Sequence, residues 1–266
     1  MYRNVLENGT IFLKHFLPSG LLVRDTETSK STIRQINLIS LILIFVLYFS
    51  LILTYAICLK RFDHLHRSFN FHPWTPAIII IGGICTILYY QFNIKRAVYI
   101  LLPFILIGGG FFLGIVSFAF ELITPHVMFY ANLSMIATVL TIHLLNLMNV
   151  LDRYPKLASI LIFIGSCLMD LTLYYVTYEL FMSVTFVQIP QFFVDPLGYE
   201  LKTYALCLII IFLMSVFALF HFDQIKKLGS QQMTFTDKLH IAANTVFIIF
   251  FLYLAFLTLI TLSRKR

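Results

Sequence analysis

Charge is scarce in this 266-residue chain: Asp, Glu, Lys and Arg together make up 12% of it, against 60% apolar residues. A water-soluble domain needs a charged, hydrated surface around its core, and so few charges cannot supply one. Cysteine is also sparse. Cys58, Cys85, Cys167 and Cys207 lie in or beside apolar runs with no CxxC pair, which excludes a disulfide framework or a cysteine zinc site and makes them small core residues. No nucleophile is paired with a base, no glycine-rich loop precedes a lysine to cradle phosphate, and no internal repeat or low-complexity segment is present, so neither an enzyme nor a repeat-built transporter is indicated.

What is abundant is apolar and aromatic surface, with 28 Phe and 14 Tyr. That surface requires lipid as its solvent. The net charge of +7 would suit nucleic acid only if the basic residues formed a patch. Instead they fall in short clusters between apolar runs, as juxtamembrane anchors do, and the expected partner is the lipid bilayer. Crossing hydrocarbon takes about 20 apolar residues in a helix, because free backbone amides find no partner in lipid. Seven segments qualify: Leu38–Leu59, Trp74–Phe92, Ala97–Phe120, Val127–Met148, Leu157–Thr177, Thr203–Phe222 and Ile241–Leu262. The expectation is an all-α, multi-pass transmembrane bundle of seven helices. It places a tail with an amphipathic segment (Ile11 to Leu22) at residues 1–37, the membrane domain at 38–262 and a basic end at 263–266. Pro190, Pro196 and Gly198 mark Tyr178 to Lys202 as a structured loop.

With the N-terminus inside, twelve Lys and Arg fall on the inner side and seven on the outer, which favours that orientation. The basic SRKR end would then lie outside, so a re-entrant last segment is the alternative to a spanning one. The sequon Asn8-Gly9-Thr10 would be glycosylated only in a lumen-facing tail, whereas Asn132-Leu133-Ser134 lies in a span and is inert.

Several polar positions invite a function. Asp170 is the fourteenth residue of its 21-residue span, where an ionised carboxylate costs about 2.5–3.5 kcal/mol, so it is protonated, paired or facing water; His143 and Asn146 are candidate partners. In FALFHFDQIKKL, His221 and Asp223 close the sixth span. Asp237, His240 and Asn244 recur at i, i+3 and i+7 on one helical face at the approach to the seventh. Asp223, Asp170, Asp237, His240 and His221 are therefore the candidate ion-binding or gating residues, for calcium or protons. An ordinary interfacial pair of Asp223 with Lys227 would explain the first as well. Asp63, His64, His66 and His72 lack a fourth ligand at defined spacing and read as solvated histidines. Asp152-Arg153-Tyr154 resembles the signature of rhodopsin-like receptors but closes the fourth span instead of the third, so a charged cap is the simpler reading. Gly110 and Gly114 bare one helical face for close packing, Ser134 and Thr138 with Thr141 line a face of the next span, and Pro103 kinks the third.

The order of three elements resembles the Bax-inhibitor-like family, the transmembrane Bax inhibitor motif proteins. They are Gly110-Phe111-Phe112-Leu113-Gly114, then YANLSMIATVLTIHLLNL, then Phe222-Asp223-Gln224, followed by DKLHIAANTVFIIFFLYL from Asp237. The resemblance runs from about Thr32 to Leu262. It implies a pH-sensitive calcium leak in an endomembrane (ER or Golgi) or a bacterial inner membrane, modulating cell-death or stress signalling, with other membrane proteins as partners and no cofactor. The family's second aspartate, midway along the last helix, is absent here: Ile248, Ile249 or Ala255 takes its place, which leaves the two-carboxylate gate incomplete. A proton- or cation-coupled transporter centred on Asp170 is the alternative, followed by a receptor-like or structural membrane protein.

Overall fold

The computed structural model describes residues 30–63, 68–69, 74–92, 98–161, 163–165, 167–168, 196–227 and 234–264. The elements are α1 (Lys30–Arg61), β1 (Phe62–Asp63), β2 (Ser68–Phe69), α2 (Trp74–Phe92), α3 (Val98–Ile123), α4 (Val127–Leu147), the single turn α5 (Val150–Arg153), α6 (Pro155–Gly165), α7 (Pro196–Lys227) and α8 (Phe235–Arg264). The chain is all-helical apart from the two-residue strands, which pair antiparallel with Phe62 opposite Phe69.

Among the described residues, five helices are long and apolar enough to cross a membrane: Ile33–Lys60, Tyr99–Ile123, Val127–Leu147, Lys202–Ile225 and Phe235–Arg264. They account for five of the seven spans expected from the sequence. Helix α2 coincides with the expected second span, Trp74–Phe92, and includes the apolar stretch Ala77–Thr86. The fifth expected span begins in α6, and its remainder from Met169, Asp170 included, lies outside the described residues. Two boundaries also move. Helix α1 starts at Lys30, inside the segment assigned to the tail, because Ile33 and the fully buried Ile36 carry the buried stripe outward past Leu38. Pro196, read as a breaker, is the first residue of α7, where a missing N–H costs nothing. The 30 continuous residues of α8 span about 45 Å, enough to cross without re-entry.

The described helices belong to two compact units, Val23–Tyr130 with Ile225–Phe250, and Ala131–Gln224 with Phe251–Arg266. In the first, α3 is the central element. A Cβ on Gly110 would stand 2.5 Å from Ser50 Cβ and 2.7 Å from the Leu47 carbonyl oxygen, and one on Gly114 would stand 2.7 Å from the Leu51 carbonyl oxygen. Bare α-carbons thus let α1 lie directly on α3. Gly82 and Gly108 repeat this between α2 and α3, each 2.7 Å from where the other's Cβ would be. The Ser50 hydroxyl donates to the Ile107 carbonyl at 3.1 Å across the α1–α3 contact. On the remaining side, Phe112 stacks on Phe250 of α8 at 6.4 Å.

The outer surface is as apolar as the interior, and a few polar side chains are turned inward. Helix α1 turns Ser40, Ser50 and Thr54 inward while Leu38, Leu41, Ile42, Phe45, Phe49 and Ile52 face out. Hydroxyls tolerate the interior because they bond within their own helix, as Ser40 does to Ile36 O (3.0 Å) and Thr54 to Ser50 O (2.8 Å). Ile36, Leu47 and Leu51 share that interior with the hydroxyls, while the outward face of α1 is left wholly to side chains that suit lipid tails. The protein is by this pattern an integral membrane protein.

A carboxylate fixes the turn from α3 into α4. Glu121 accepts from His126 N at 2.5 Å and from Met128 N at 3.2 Å, neutralising two of the free amides at the start of α4. His126 adopts a left-handed φ of 65° to bring its amide there. In the second unit Gly165 of α6 lies 3.9 Å, measured from a Cβ built on it, from Leu213 and Val216 of α7. Between α4 and α6, Asn149 (φ 54°) starts the turn α5, leaving Asp152 and Arg153 exposed as a cap.

Candidate functional site

The polar residues of the first unit gather where α8 begins. Thr234 and Asp237 form a reciprocal cap: the Thr234 hydroxyl donates to Asp237 Oδ2 at 2.6 Å, Thr234 N donates to the same oxygen at 3.3 Å, and Asp237 N donates back to Thr234 Oγ1 at 3.3 Å. Threonine followed three residues later by an acid is the sequence pattern for such a box. The Thr234 carbonyl takes the first helical bond, from Lys238 N at 3.2 Å. Asp237 is thus part of the helix start.

Three other helices meet this end. From α1, Gln35 Oε1 accepts from Lys238 Nζ at 2.6 Å. From α3, the Tyr99 hydroxyl bonds Thr236 Oγ1 at 2.8 Å while its ring stacks on Phe235 at 6.1 Å and 14°. From α2, the buried Tyr89 hydroxyl is hydrogen-bonded to His240 Nδ1, the rings lying 5.4 Å apart. Either group can donate in that bond: a neutral imidazole accepts from the phenol, and an imidazolium donates to it. Such a pair can hold a proton, but it offers one nitrogen and one oxygen to a metal. Among the described residues no three His, Cys, Asp or Glu side chains are grouped to hold an ion. Asn244, one turn further along, is fully buried.

The second unit holds Asp223. It is 4% exposed, in the last two turns of α7, with the buried His221 two residues before it. Phe222 between them receives the exposed His143 of α4 edge-on, at 6.0 Å and 88°. Asn146, one turn beyond His143, is buried. The contact of His143 with Phe222 brings the C-terminal ends of α4 and α7 to one level.

Of the residues singled out from the sequence, Gly110 and Gly114 lie on α1, and Ser134 and Thr138 are half-buried on α4, where the Thr138 hydroxyl donates to Ser134 O at 2.9 Å within its own helix. Thr141 is exposed and bonds Ala137 O. Asp170, His64, His66 and His72 lie outside the described residues. Ile248, Ile249 and Ala255 are buried apolar side chains. Tyr89, Tyr99 and Gln35 were not foreseen as partners of the α8 end. Only an excess of polar residues at the edges of apolar runs marked them, and spacing within one helix cannot name a partner on another. No protein family, curated protein or solved structure matches this chain.

Proposed function

We propose that this chain is a seven-crossing membrane protein of Bax-inhibitor-like type that modulates a cation leak, calcium or protons, past Asp223. The crossing number is supported by parity. Helices α1, α3 and α8 run parallel, since Gln35 meets Lys238 and Tyr99 meets Thr236 at one end while Ser50 meets Ile107 and Phe112 meets Phe250 further along. The return from α1 to α3 requires α2 to cross. In the other unit, α4 and α7 share a level at their C-terminal ends, and the apolar segment Leu157–Thr177 between them has the length of a crossing.

The observation that carries the functional reading is Asp223: a carboxylate withdrawn from solvent at the end of an apolar helix, in a chain with few charges. A carboxylate is kept in such a place where it binds or relays a cation. Ile248, Ile249 and Ala255 are apolar, so the second acid that the family resemblance implies is not found at these positions of α8. The setting is an endomembrane or a bacterial inner membrane. In proteoliposomes, calcium flux should depend on pH and fall at least tenfold in Asp223→Asn. Flux equal in the two proteins removes the role of Asp223, and a silent wild-type protein directs the reading to interaction with other membrane proteins.

A further inference from the structure

Helices α1, α3 and α8 begin at Lys30, Val98 and Phe235, and the contacts at the α8 start tie these three beginnings together. One boundary of the hydrocarbon is therefore drawn by the protein itself. At that boundary stand Arg34 and Gln35, exposed, the stacked pair Tyr99 and Phe235, each about half exposed, and Thr236 and Lys238, half-buried.

We propose that this patch binds the phosphate headgroup of an anionic phospholipid. The stacked rings have the amphipathic character of an interfacial belt: their faces suit the upper acyl chains, and the Tyr99 hydroxyl, bonded to Thr236, lies at the polar edge. Lys238 is held in place by its 2.6 Å bond to Gln35, which takes one of three ammonium donors and leaves two for a phosphate oxygen. Arg34 adds a guanidinium one residue from Gln35 on α1. The nearby carboxylate, Asp237, gives its Oδ2 to two bonds from Thr234 and keeps its single negative charge. The two cations outweigh it, and that positive excess selects a net negative headgroup over a zwitterionic one. The inference rests on the membrane reading of the span starts and not on ion passage, so a negative flux result does not touch it.

The test is lipid titration of the full-length protein in neutral detergent by native mass spectrometry, with phosphatidylglycerol and phosphatidylcholine as probes. Each basic residue beside an anionic surface contributes about fivefold in affinity, so Arg34→Gln with Lys238→Gln should lower phosphatidylglycerol affinity about 25-fold and leave phosphatidylcholine binding unchanged. Raising salt should weaken phosphatidylglycerol binding to the unaltered protein, a result that needs no variant to fold. Equal affinity for the two lipids, phosphatidylglycerol binding within twofold of wild type in the double variant, or insensitivity to salt would each overturn the proposal. Competition by inorganic phosphate as strong as by lipid would overturn the lipid assignment.

Discussion

Replacing Gly110 by alanine inserts one methyl group where α1 and α3 touch. The new carbon would stand 2.5 Å from Ser50 Cβ and 2.7 Å from the Leu47 carbonyl oxygen, while carbon atoms in contact rest about 3.5–4.0 Å apart. The helices must therefore separate by about 1 Å, because a carbonyl within a helix cannot swing aside. Overpacking of this kind costs about 1–3 kcal/mol. Separation also stretches the bond from Ser50 to Ile107, and bonds between helices in lipid average about 0.6 kcal/mol. The gain of alanine over glycine in a helix, about 1 kcal/mol, works in the opposite direction. The net expectation is a loss of about 0.5–2.5 kcal/mol. Gly83 supplies the control: no heavy atom lies within 4 Å of its would-be Cβ, so Gly83→Ala should be neutral or stabilising by up to about 1 kcal/mol. Reversible unfolding of both variants in mixed micelles, followed by circular dichroism, measures the difference, expected at about 0.5–3.5 kcal/mol with Gly110→Ala the weaker protein. Two variants within about 0.5 kcal/mol of each other would refute a glycine-dependent contact between α1 and α3. Adding Gly114→Ala to Gly110→Ala should cost less than Gly114→Ala alone, since the same interface is already open.

Other consequences follow from the caps and the topology. Thr234→Ala removes the reciprocal cap of α8 and should cost about 1 kcal/mol, with faster amide exchange confined to the first turn; Thr234→Ser should restore both. Glu121→Ala leaves His126 N and Met128 N without their carboxylate and should cost about 1.5–3 kcal/mol in the same unfolding assay, with Glu121→Gln intermediate. Tyr89→Phe deletes only the bond to His240 and should cost about 0.6 kcal/mol, less than Gly110→Ala. In a chain whose native cysteines are replaced by alanine, single cysteines at exposed Gln35 and Thr234 should react with an impermeant thiol reagent from one side of sealed vesicles and a cysteine at Pro125 from the other. Gln35 and Pro125 labelled from the same side would refute the parallel crossing of α1 and α3.

Apolar length and the scarcity of charge determined, from the sequence by itself, that these segments are helices in lipid, because nothing else in the composition can solvate them or pair their amides. Helix starts were legible wherever the signal is local, as in the threonine and aspartate of the α8 cap. Other helix starts were less legible: α1 opens at Lys30, ahead of the expected Leu38, and Pro196 begins a helix because a proline's effect depends on which turn it occupies. Only the tertiary structure decided which side chains meet. Asp237 and His240 share a face in the sequence, yet one caps its own helix and the other bonds Tyr89 on α2. Periodicity fixes the direction of a side chain from its own axis and carries no information about the neighbouring helix. The same holds for Gly110 and Gly114, whose spacing announces a close contact while α1 as its partner follows from the packing of three parallel helices.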